Sequence, residues 1–392
     1  PGGPLGLFRF HDVSAGSAFW HPKGQRIWRT LESAMRELQD HRGYEEVSTP
    51  ILVHRKLWEQ SGHWDHYSDN MFKVEAEGQT FSLKPMNCPE STFIYRSKLR
   101  SYRDLPLRLN EYGRLHRNER SGTLSGLTRV RHFIQDDAHI YVRPDQLRDE
   151  IEALIGEVRE SYGWFGLQPR FAFATKPDKA LGDPALWEQA EGLIKEALDR
   201  VAPGNYEVKP KDGTFYAPKI DIYIDDALGR EWQMATIQVD LVMLPERFDL
   251  TYIDADGQER RPMAIHRAIY GSLERFIGIL VEHFAGAFPL WVAPVQAVIV
   301  PIADRHAEPA RELAAVLRGR GLRVEVDDSD NRMQNKIRLA QEQKVPYMLV
   351  LGDREVEART ASPRTRAGEQ QPAEGWEALA DRLATEVRDR TV

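Results

Sequence analysis

The spacing of apolar residues along the chain predicts a sequence of amphipathic helices and half-buried strands. Apolar residues recur every three or four positions in four stretches, which predicts helices over 26–40, 145–162, 187–200 and 266–280. The last of these helices is predicted to begin at His266. Apolar and polar residues alternate in two further stretches, which predicts strands over 220–225 and 231–241.

The longest alternating pattern predicts an antiparallel hairpin from Leu109 to His139. Two strand-like runs flank a Gly/Ser-rich segment, 121–126, that is typical of a loop. The polar residues of the runs include arginines, carboxylates, an aromatic ring and a histidine. Arginines suit phosphates, and carboxylates suit an ammonium group, so this set fits an anionic, planar ligand that carries an amine. A solvated hairpin with cross-strand ion pairs has the same composition, so the residues alone leave both interpretations open.

The pattern of predicted elements changes near Trp291, after which short apolar strands alternate with helices. Strands are predicted over 295–300, 322–326 and 347–351, and helices over 304–317, 333–343 and 376–387. Such alternation is typical of an α/β layer. We therefore predict a larger domain over 1–293 and a smaller one over 294–392.

Composition narrows the class of protein. The chain has 392 residues, of which 41% are hydrophobic and 29% charged, as expected for a two-domain globular protein. No apolar run approaches the roughly 20 residues of a membrane span, and no stretch resembles a signal peptide. A single cysteine excludes an internal disulfide and fits a reducing, cytoplasmic location. The net charge of −7 argues against a protein that coats nucleic acid, although a local basic face would suffice for tRNA.

The block from His116 to His139 resembles, almost letter for letter, the second signature motif of the class II aminoacyl-tRNA synthetases, in its threonyl-tRNA synthetase form. The similarity extends from about Phe19 to the C-terminus. Residues 43–50 are similar to the first motif, which forms the dimer interface in this family, and residues 266–275 to the third. The resemblance implies an α+β catalytic domain, an antiparallel sheet flanked by helices, followed by a smaller α/β anticodon-binding domain.

The activity that the resemblance implies is ATP-dependent ligation of L-threonine to its cognate tRNA through threonyl-adenylate, in a homodimer, with Mg²⁺ on the ATP phosphates. The implied catalytic residues are Arg117, Arg275 and His63. The implied nucleotide contacts are Arg117, Glu119, Arg129, Phe133, Gln233, Thr236 and Arg275. The implied threonine contacts are Met86, Gln135, Asp137, Tyr216 and Gln238, and the implied anticodon contacts are Glu355 and Arg364. For His63, taken alone, a packed or capping histidine is the more common interpretation.

The single cysteine, Cys88, has three interpretations from the residues alone: a buried apolar side chain, a nucleophile or a metal ligand. The resemblance favours the last, because it places Cys88 with His139 and His266 around one Zn²⁺. Three protein ligands leave an open position, which is typical of functional zinc. A metal that binds the threonine hydroxyl is expected to exclude valine and to tolerate serine. The family usually removes the serine product in an N-terminal editing domain, and we expect none before Phe19.

Several residues depart from the family pattern. Ala217 and Ala235 stand where glycine is usual, Glu90 and Ser91 replace a glycine and a histidine, and Pro363 falls in a strand-like position. If either missing glycine were needed for close approach to ATP, catalysis would be weakened. The second hypothesis is therefore a non-catalytic, synthetase-like protein that binds tRNA or regulates.

Overall fold

The structure is a computed structural model that describes residues 2–392. The chain forms two compact units. The larger comprises residues 10–18 and 35–279, and the smaller comprises the N-terminal residues up to Arg9, residues 19–34 and residues 280–392. The domain boundary between 293 and 294 stays a prediction. Within residues 2–392, the helices fall short of the length and apolar character that crossing a membrane would require.

The helices are α1 (Pro22–His41), α2 (Arg55–Ser61), α3 (His63–Tyr67), α4 (Cys88–Tyr95), α5 (Leu147–Gly163), α6 (Pro184–Val201), α7 (Leu244–Arg247), α8 (Leu273–His283), α9 (Ala307–Gly319), α10 (Met333–Glu342), α11 (Asp353–Ala358) and α12 (Trp376–Arg388). The strands are β1 (Phe8–Arg9), β2 (Phe19–Trp20), β3 (Glu45–Glu46), β4 (Leu52–His54), β5 (Lys73–Ala76), β6 (Gln79–Leu83), β7 (Leu107–His116), β8 (His132–Val142), β9 (Arg170–Ala174), β10 (Tyr206–Lys209), β11 (Lys219–Asp225), β12 (Glu231–Asp240), β13 (Tyr252–Ile253), β14 (Glu259–Arg260), β15 (Met263–Ser272), β16 (Ala297–Pro301), β17 (Val324–Val326), β18 (Tyr347–Leu351), β19 (Thr360–Ala361), β20 (Pro363–Thr365) and β21 (Glu374–Gly375).

The main sheet of the larger unit has the strand order β10-β9-β11-β12-β15-β8-β7-β3. Its central pairs are antiparallel, and the pairs at the two edges are parallel. The predicted hairpin is confirmed as β7 and β8, with Leu109 opposite His139 and His116 opposite His132. Helix α5 buries the predicted apolar stripe, which includes Ile151, Leu154 and Val158.

The predicted helix from His266 is wrong at its start, because His266 lies in the middle of strand β15 and helix α8 begins at Leu273. The apolar stripe from 269 to 280 misled the prediction. Strand β15 lies between β12 and β8, and every residue from Met263 to Gly271 is buried. A strand buried on both faces shows no alternation of apolar and polar residues, so its periodicity does not distinguish it from a helix.

The smaller unit contains the predicted α/β layer, with strand order β17-β16-β18-β20. Strand β16 is parallel to β17 and β18, and the core residues Ile299, Leu313, Leu349 and Leu379 are fully buried. The sequence prediction missed helix α11 and strand β20. Pro363 is the first residue of β20, a position where a strand tolerates the missing N–H of proline.

Candidate active site

A cavity of about 250 Å³ in the larger unit collects most of the predicted site residues. It is open to solvent at the face of the central sheet. Its lining includes the five predicted threonine contacts, the three predicted metal ligands and two predicted nucleotide contacts: Met86, Gln135, Asp137, Tyr216, Gln238, Cys88, His139, His266, Arg117 and Thr236. Residues that are up to 180 positions apart along the chain therefore meet at one place.

The candidate metal ligands are held by three different elements. Cys88 is the first residue of α4, and His139 and His266 are directly paired across strands β8 and β15. Their ligand atoms all lie within 4.8 Å of one another, and all three residues are buried. Zn²⁺ bound by one sulfur and two nitrogen ligands needs ligand atoms about 3.3–3.8 Å apart, a separation below this upper limit. One thiolate and two imidazoles are a donor set that zinc prefers, so the residues fit the metal.

Burial shapes the acid–base chemistry of this cluster. Burial lowers the pKa of His139 well below its usual value, and the nearby His266 lowers it further, so the imidazole is in the neutral form that binds metals. Burial also raises the pKa of the Cys88 thiol well above its usual value, and the carboxylates of Asp137 and Asp240 add to this effect. A divalent cation would offset that cost by stabilising the thiolate.

A carboxylate stands beside the metal ligands. Asp137 lines the cavity, and Asn87 donates a 3.2 Å hydrogen bond from Nδ2 to its Oδ2. Burial raises the pKa of Asp137 to about 6, and the Asn87 amide and His266 oppose this rise. The side chain is therefore ionised near neutral pH and can accept hydrogen bonds from an ammonium group. Asn87, which the sequence analysis missed, fits only because Gly113 faces it: an added Cβ at Gly113 would lie 2.0 Å from Asn87 Oδ1.

A second polar chain runs along β11 and β12. Tyr216 donates a short hydrogen bond to Gln238 Oε1, and Gln238 donates to Thr236 Oγ1 at 3.4 Å. Gln233 Nε2 and Thr236 Oγ1 both donate to Oδ1 of Asp221, at 2.7 and 3.3 Å. Asp221 is fully buried, and Lys219 Nζ lies 2.7 Å from its Oδ2. The sequence analysis missed Asp221, which holds the two predicted nucleotide contacts in place.

Positive charge accumulates at the end of the site where Arg117 and Arg275 lie. The Arg117 guanidinium lies over the Phe133 ring, 4.9 Å from its centroid. Arg275 donates from Nε to Thr128 O at 2.9 Å and from Nη1 to Gln233 O at 3.3 Å. Burial lowers the pKa of Arg275, as do the neighbouring Arg117 and Arg129, whereas Glu119 raises it. Such a concentration of guanidinium groups suits polyphosphate.

His63, predicted as catalytic, is fully buried. Its Nδ1 lies 2.7 Å from Ser61 Oγ, and its Nε2 lies 3.8 Å from Cys88 Sγ. Burial lowers its pKa to about 3, with smaller contributions from the neighbouring His266 and Arg117, so the ring is neutral. The histidine contacts the cluster through the Cys88 thiol. Its catalytic role stays a prediction.

The two predicted anticodon contacts lie in the smaller unit. Glu355 belongs to α11 and accepts a 3.0 Å hydrogen bond from the N–H of Gly352 at the start of that helix. Arg364 lies on β20, opposite Met348 of β18. Their contact with RNA stays a prediction.

Comparison with known proteins identifies the class to which this fold and site belong. The tRNA synthetase class II core domain (G, H, P, S and T) matches residues 72–284, and an anticodon binding domain matches residues 296–386. The chain belongs to the class II aminoacyl-tRNA synthetases, and the order of a catalytic core and an anticodon-binding domain confirms the predicted fold class.

Within this class, the chain belongs to the threonyl-tRNA synthetase family. It is 54% identical over 365 residues to the threonine–tRNA ligase of Symbiobacterium thermophilum and 50% identical over 390 residues to that of Thermotoga neapolitana. These alignments cover 93% and 99% of this chain, which spans 56% and 61% of the two relatives. The solved RNA binding domain of threonyl-tRNA synthetase from Cryptosporidium parvum Iowa II has a TM-score of 0.95 and 39% identity, covering 98% of this chain and 97% of that one.

Proposed function

We propose that this chain carries the catalytic and anticodon-binding parts of a threonine–tRNA ligase. In the first reaction the carboxylate of threonine attacks the α-phosphate of ATP, forming threonyl-adenylate and releasing pyrophosphate. In the second, a hydroxyl of the terminal ribose of tRNA takes the threonyl group and AMP leaves. The observation that carries the proposal is the meeting of Cys88, His139 and His266 with Asp137 in one cavity, at whose edge Arg117 lies.

The adenylation step requires little proton transfer, so positioning and charge stabilisation supply most of its rate enhancement. We assign Asp137, which lines the cavity, to accept a hydrogen bond from an N–H of the threonine amino group, which orients the carboxylate toward the nucleotide. The Arg117 guanidinium stabilises the negative charge that grows on the α-phosphate in the transition state. We assign Arg275 and Phe133 to the two faces of the adenine, and Arg129 to the γ-phosphate, which Mg²⁺ accompanies.

Cys88, His139 and His266 would hold a zinc ion. A zinc ion bound there would supply coordination for the amino and hydroxyl groups of threonine. Other side chains of the cavity limit which amino acids can bind. Tyr216 donates a hydrogen bond to Gln238 in the cavity wall, and Met86 adds an apolar surface. The cavity therefore combines a polar cluster with enclosing walls, as selection of a small hydroxylated amino acid requires.

We further propose a cytoplasmic homodimer that binds tRNA(Thr). A groove of about 550 Å³ lies beside residues 48–57, within and just after the segment that resembles the dimer-forming first motif. Its wall includes Leu52 and Phe93, which are 48% and 60% exposed. Large apolar side chains on a surface are typical of a protein interface. Phe93→Glu is expected to increase the monomer fraction in sedimentation measurements, and an unchanged oligomeric state would contradict this assignment.

The test of the catalytic proposal combines two measurements on the purified chain: its zinc content and its amino-acid-dependent ATP–pyrophosphate exchange. We expect one zinc per chain and exchange that depends on threonine. Cys88→Ala should abolish both, whereas Ser97→Ala, an exposed substitution just after α4, should preserve both. Full exchange after removal of the metal, or exchange with a different amino acid only, would overturn the proposal.

A further inference from the structure

The pairing of strands β8 and β15 is interrupted next to the active site. Ala268 pairs with Asp137, and the next registered pair is Ser272 with Gln135, so β15 carries extra residues between these points. Gly271 lies in this interruption with a φ of +71°, a left-handed conformation that favours glycine. An added Cβ at Gly271 would lie 2.3 Å from Met234 O of β12, so the interrupted segment is also packed closely against the strand on its other side.

The Asp136 side chain lies at this interruption and accepts hydrogen bonds from the backbone N–H groups there. Its Oδ2 accepts hydrogen bonds from the N–H groups of Ile269, at 3.1 Å, and Tyr270, at 2.9 Å, and its Oδ1 accepts from Gly271 at 2.9 Å. Successive N–H groups that converge in this way form an anion-binding nest, and here the anion belongs to the same chain. Asp136 is fully enclosed, with 1% of its surface exposed. The three N–H groups would otherwise be buried without partners.

A second carboxylate makes the reciprocal contact. Glu274, in the first turn of α8, accepts a 3.0 Å hydrogen bond at Oε2 from the N–H of Ile134 on β8. Arg267 supports the arrangement, because its Nη1 donates to Asp136 O at 3.0 Å and lies 3.9 Å from Asp136 Oδ2. The buried Asp136 side chain of β8 thus accepts from the backbone of β15, and the buried Glu274 side chain of α8 accepts from the backbone of β8, where the strand pairing is interrupted.

We propose that Asp136 and Glu274 are positioning residues that fix the start of helix α8 and, through it, the Arg275 guanidinium at the nucleotide end of the site. Gly271 of the nest and Arg275 are four residues apart, and within residues 2–392 the last registered pair of β15 and β8 is Ser272 with Gln135. Asp136 also lies between Gln135 and Asp137, whose side chains line the cavity. The two acidic side chains therefore connect the threonine-binding strand to the nucleotide-binding arginine. This inference rests on the proposed function.

The test is Asp136→Asn, assayed in the full chain by threonine-dependent ATP–pyrophosphate exchange. An asparagine keeps one acceptor oxygen and places an NH₂ group against at least one N–H of the nest. Because Arg275 is assigned to bind ATP, its displacement should weaken ATP binding, and we expect the KM for ATP to rise about 10-fold or more, within the roughly 100-fold that a misplacement of about 1 Å can cost. The KM for threonine should change less than about 2-fold, and the zinc content should not change, because Cys88, His139 and His266 keep their own contacts.

A second pair of variants keeps the inference testable if Asp136→Asn folds poorly. Glu274→Gln retains an oxygen that can accept from Ile134 N, and Glu274→Ala does not, so the KM for ATP should rise more in the alanine variant. Glu150→Gln is the matched control: it is a buried carboxylate bound to Arg108, on helix α5 and away from the interruption. It should lower thermal stability and leave the ratio of the two KM values unchanged.

An Asp136→Asn variant with both KM values unchanged, or with both raised together and zinc lost, would overturn the inference. Hydrogen exchange provides a readout that does not depend on activity. The amides of 269–271 should be protected in the wild-type chain and exchange faster in Asp136→Asn, while Glu150→Gln should leave them protected. If the wild-type chain lacked exchange activity, the proposed function would be wrong. If the amides of 269–271 were unprotected in the wild-type chain, the hydrogen bonds to Asp136 on which this inference rests would be wrong, whatever the activity.

Discussion

The Nε2 atom of His266 lies 2.9 Å from Oδ2 of Asp240, and both side chains are buried. Asp240 is itself held by three backbone N–H groups, those of Val242, Met243 and Leu244, at 2.7–3.0 Å. Because the carboxylate engages Nε2, the nitrogen that remains for a metal is Nδ1. A histidine held by a carboxylate in this way has a fixed tautomer and ring orientation.

Asp240→Asn is therefore expected to weaken zinc binding by about 10- to 100-fold, because the amide does not enforce the same tautomer of His266. Competition with a chelator of known affinity measures this change on the folded protein. Glu150→Gln serves as the control for general loss of stability, and it should retain the wild-type affinity. Wild-type affinity in Asp240→Asn would show that the carboxylate only caps the turn after β12.

The predicted zinc site gives a specific order of amino-acid discrimination. Valine has the shape of threonine without its hydroxyl, so it forfeits a metal contact and should be rejected by about 10⁴- to 10⁵-fold. Serine keeps the hydroxyl and loses one methyl group, worth only about 1–3 kcal/mol. Values of kcat/KM for exchange with the three amino acids measure both ratios. Serine exclusion as strong as that of valine would contradict a site that recognises the hydroxyl through a metal.

The sequence predicted elements whose polar face recurs regularly, such as the β7–β8 hairpin and helix α5, but it missed the largely exposed strands β5 and β10. The β7–β8 hairpin and helix α5 alternate or repeat visibly, because their outer faces are polar. Strand β15 is buried from Met263 to Gly271, so it carries no such signal and was assigned to a helix. Gly271, with a φ of +71°, lies one residue before the end of this strand, and a single glycine does not distinguish a strand end from a helical position.

Only some residues of the candidate site could be predicted from the sequence. Spacing alone could not assemble Cys88, His139 and His266, since their proximity results from strand order and not from separation along the chain. The buried carboxylates Asp136, Asp221 and Asp240 were missed, because each acts by accepting hydrogen bonds from groups that only the fold brings near. The residue type gave little signal for Asp136 and Asp240, because β8 and β12 carry other polar side chains as well, such as Gln135 and Gln238.

The two alanines that replace family glycines are accommodated without backbone strain. Ala217 and Ala235 are fully buried, and neither has a positive φ. We therefore expect Ala235→Gly to leave the KM for ATP within about 2-fold of wild type and to lower the free energy of unfolding by about 0.5–1 kcal/mol, because glycine gains more entropy on unfolding. Exchange kinetics and thermal unfolding measure the two effects. A large gain in activity from either glycine would instead show that the alanines impair the site.

Glu274 should make the stability of the chain depend on pH. Burial raises its pKa from 4.5 to about 8, and the N–H of Ile134, the Ser272 hydroxyl and the facing charge of Arg114 only partly oppose this rise. Between these two pKa values the folded chain binds a proton that the unfolded chain does not, so this residue's contribution to stability falls as pH rises, by at most about 1.4 kcal/mol per pH unit. Glu274→Gln removes the titration. The difference in unfolding temperature between the two proteins should therefore shift in favour of glutamine between about pH 5.5 and 7.5. Parallel unfolding curves over that range would mean that Glu274 is ionised in the folded chain, where Arg114 and the Ile134 N–H would then have to outweigh burial.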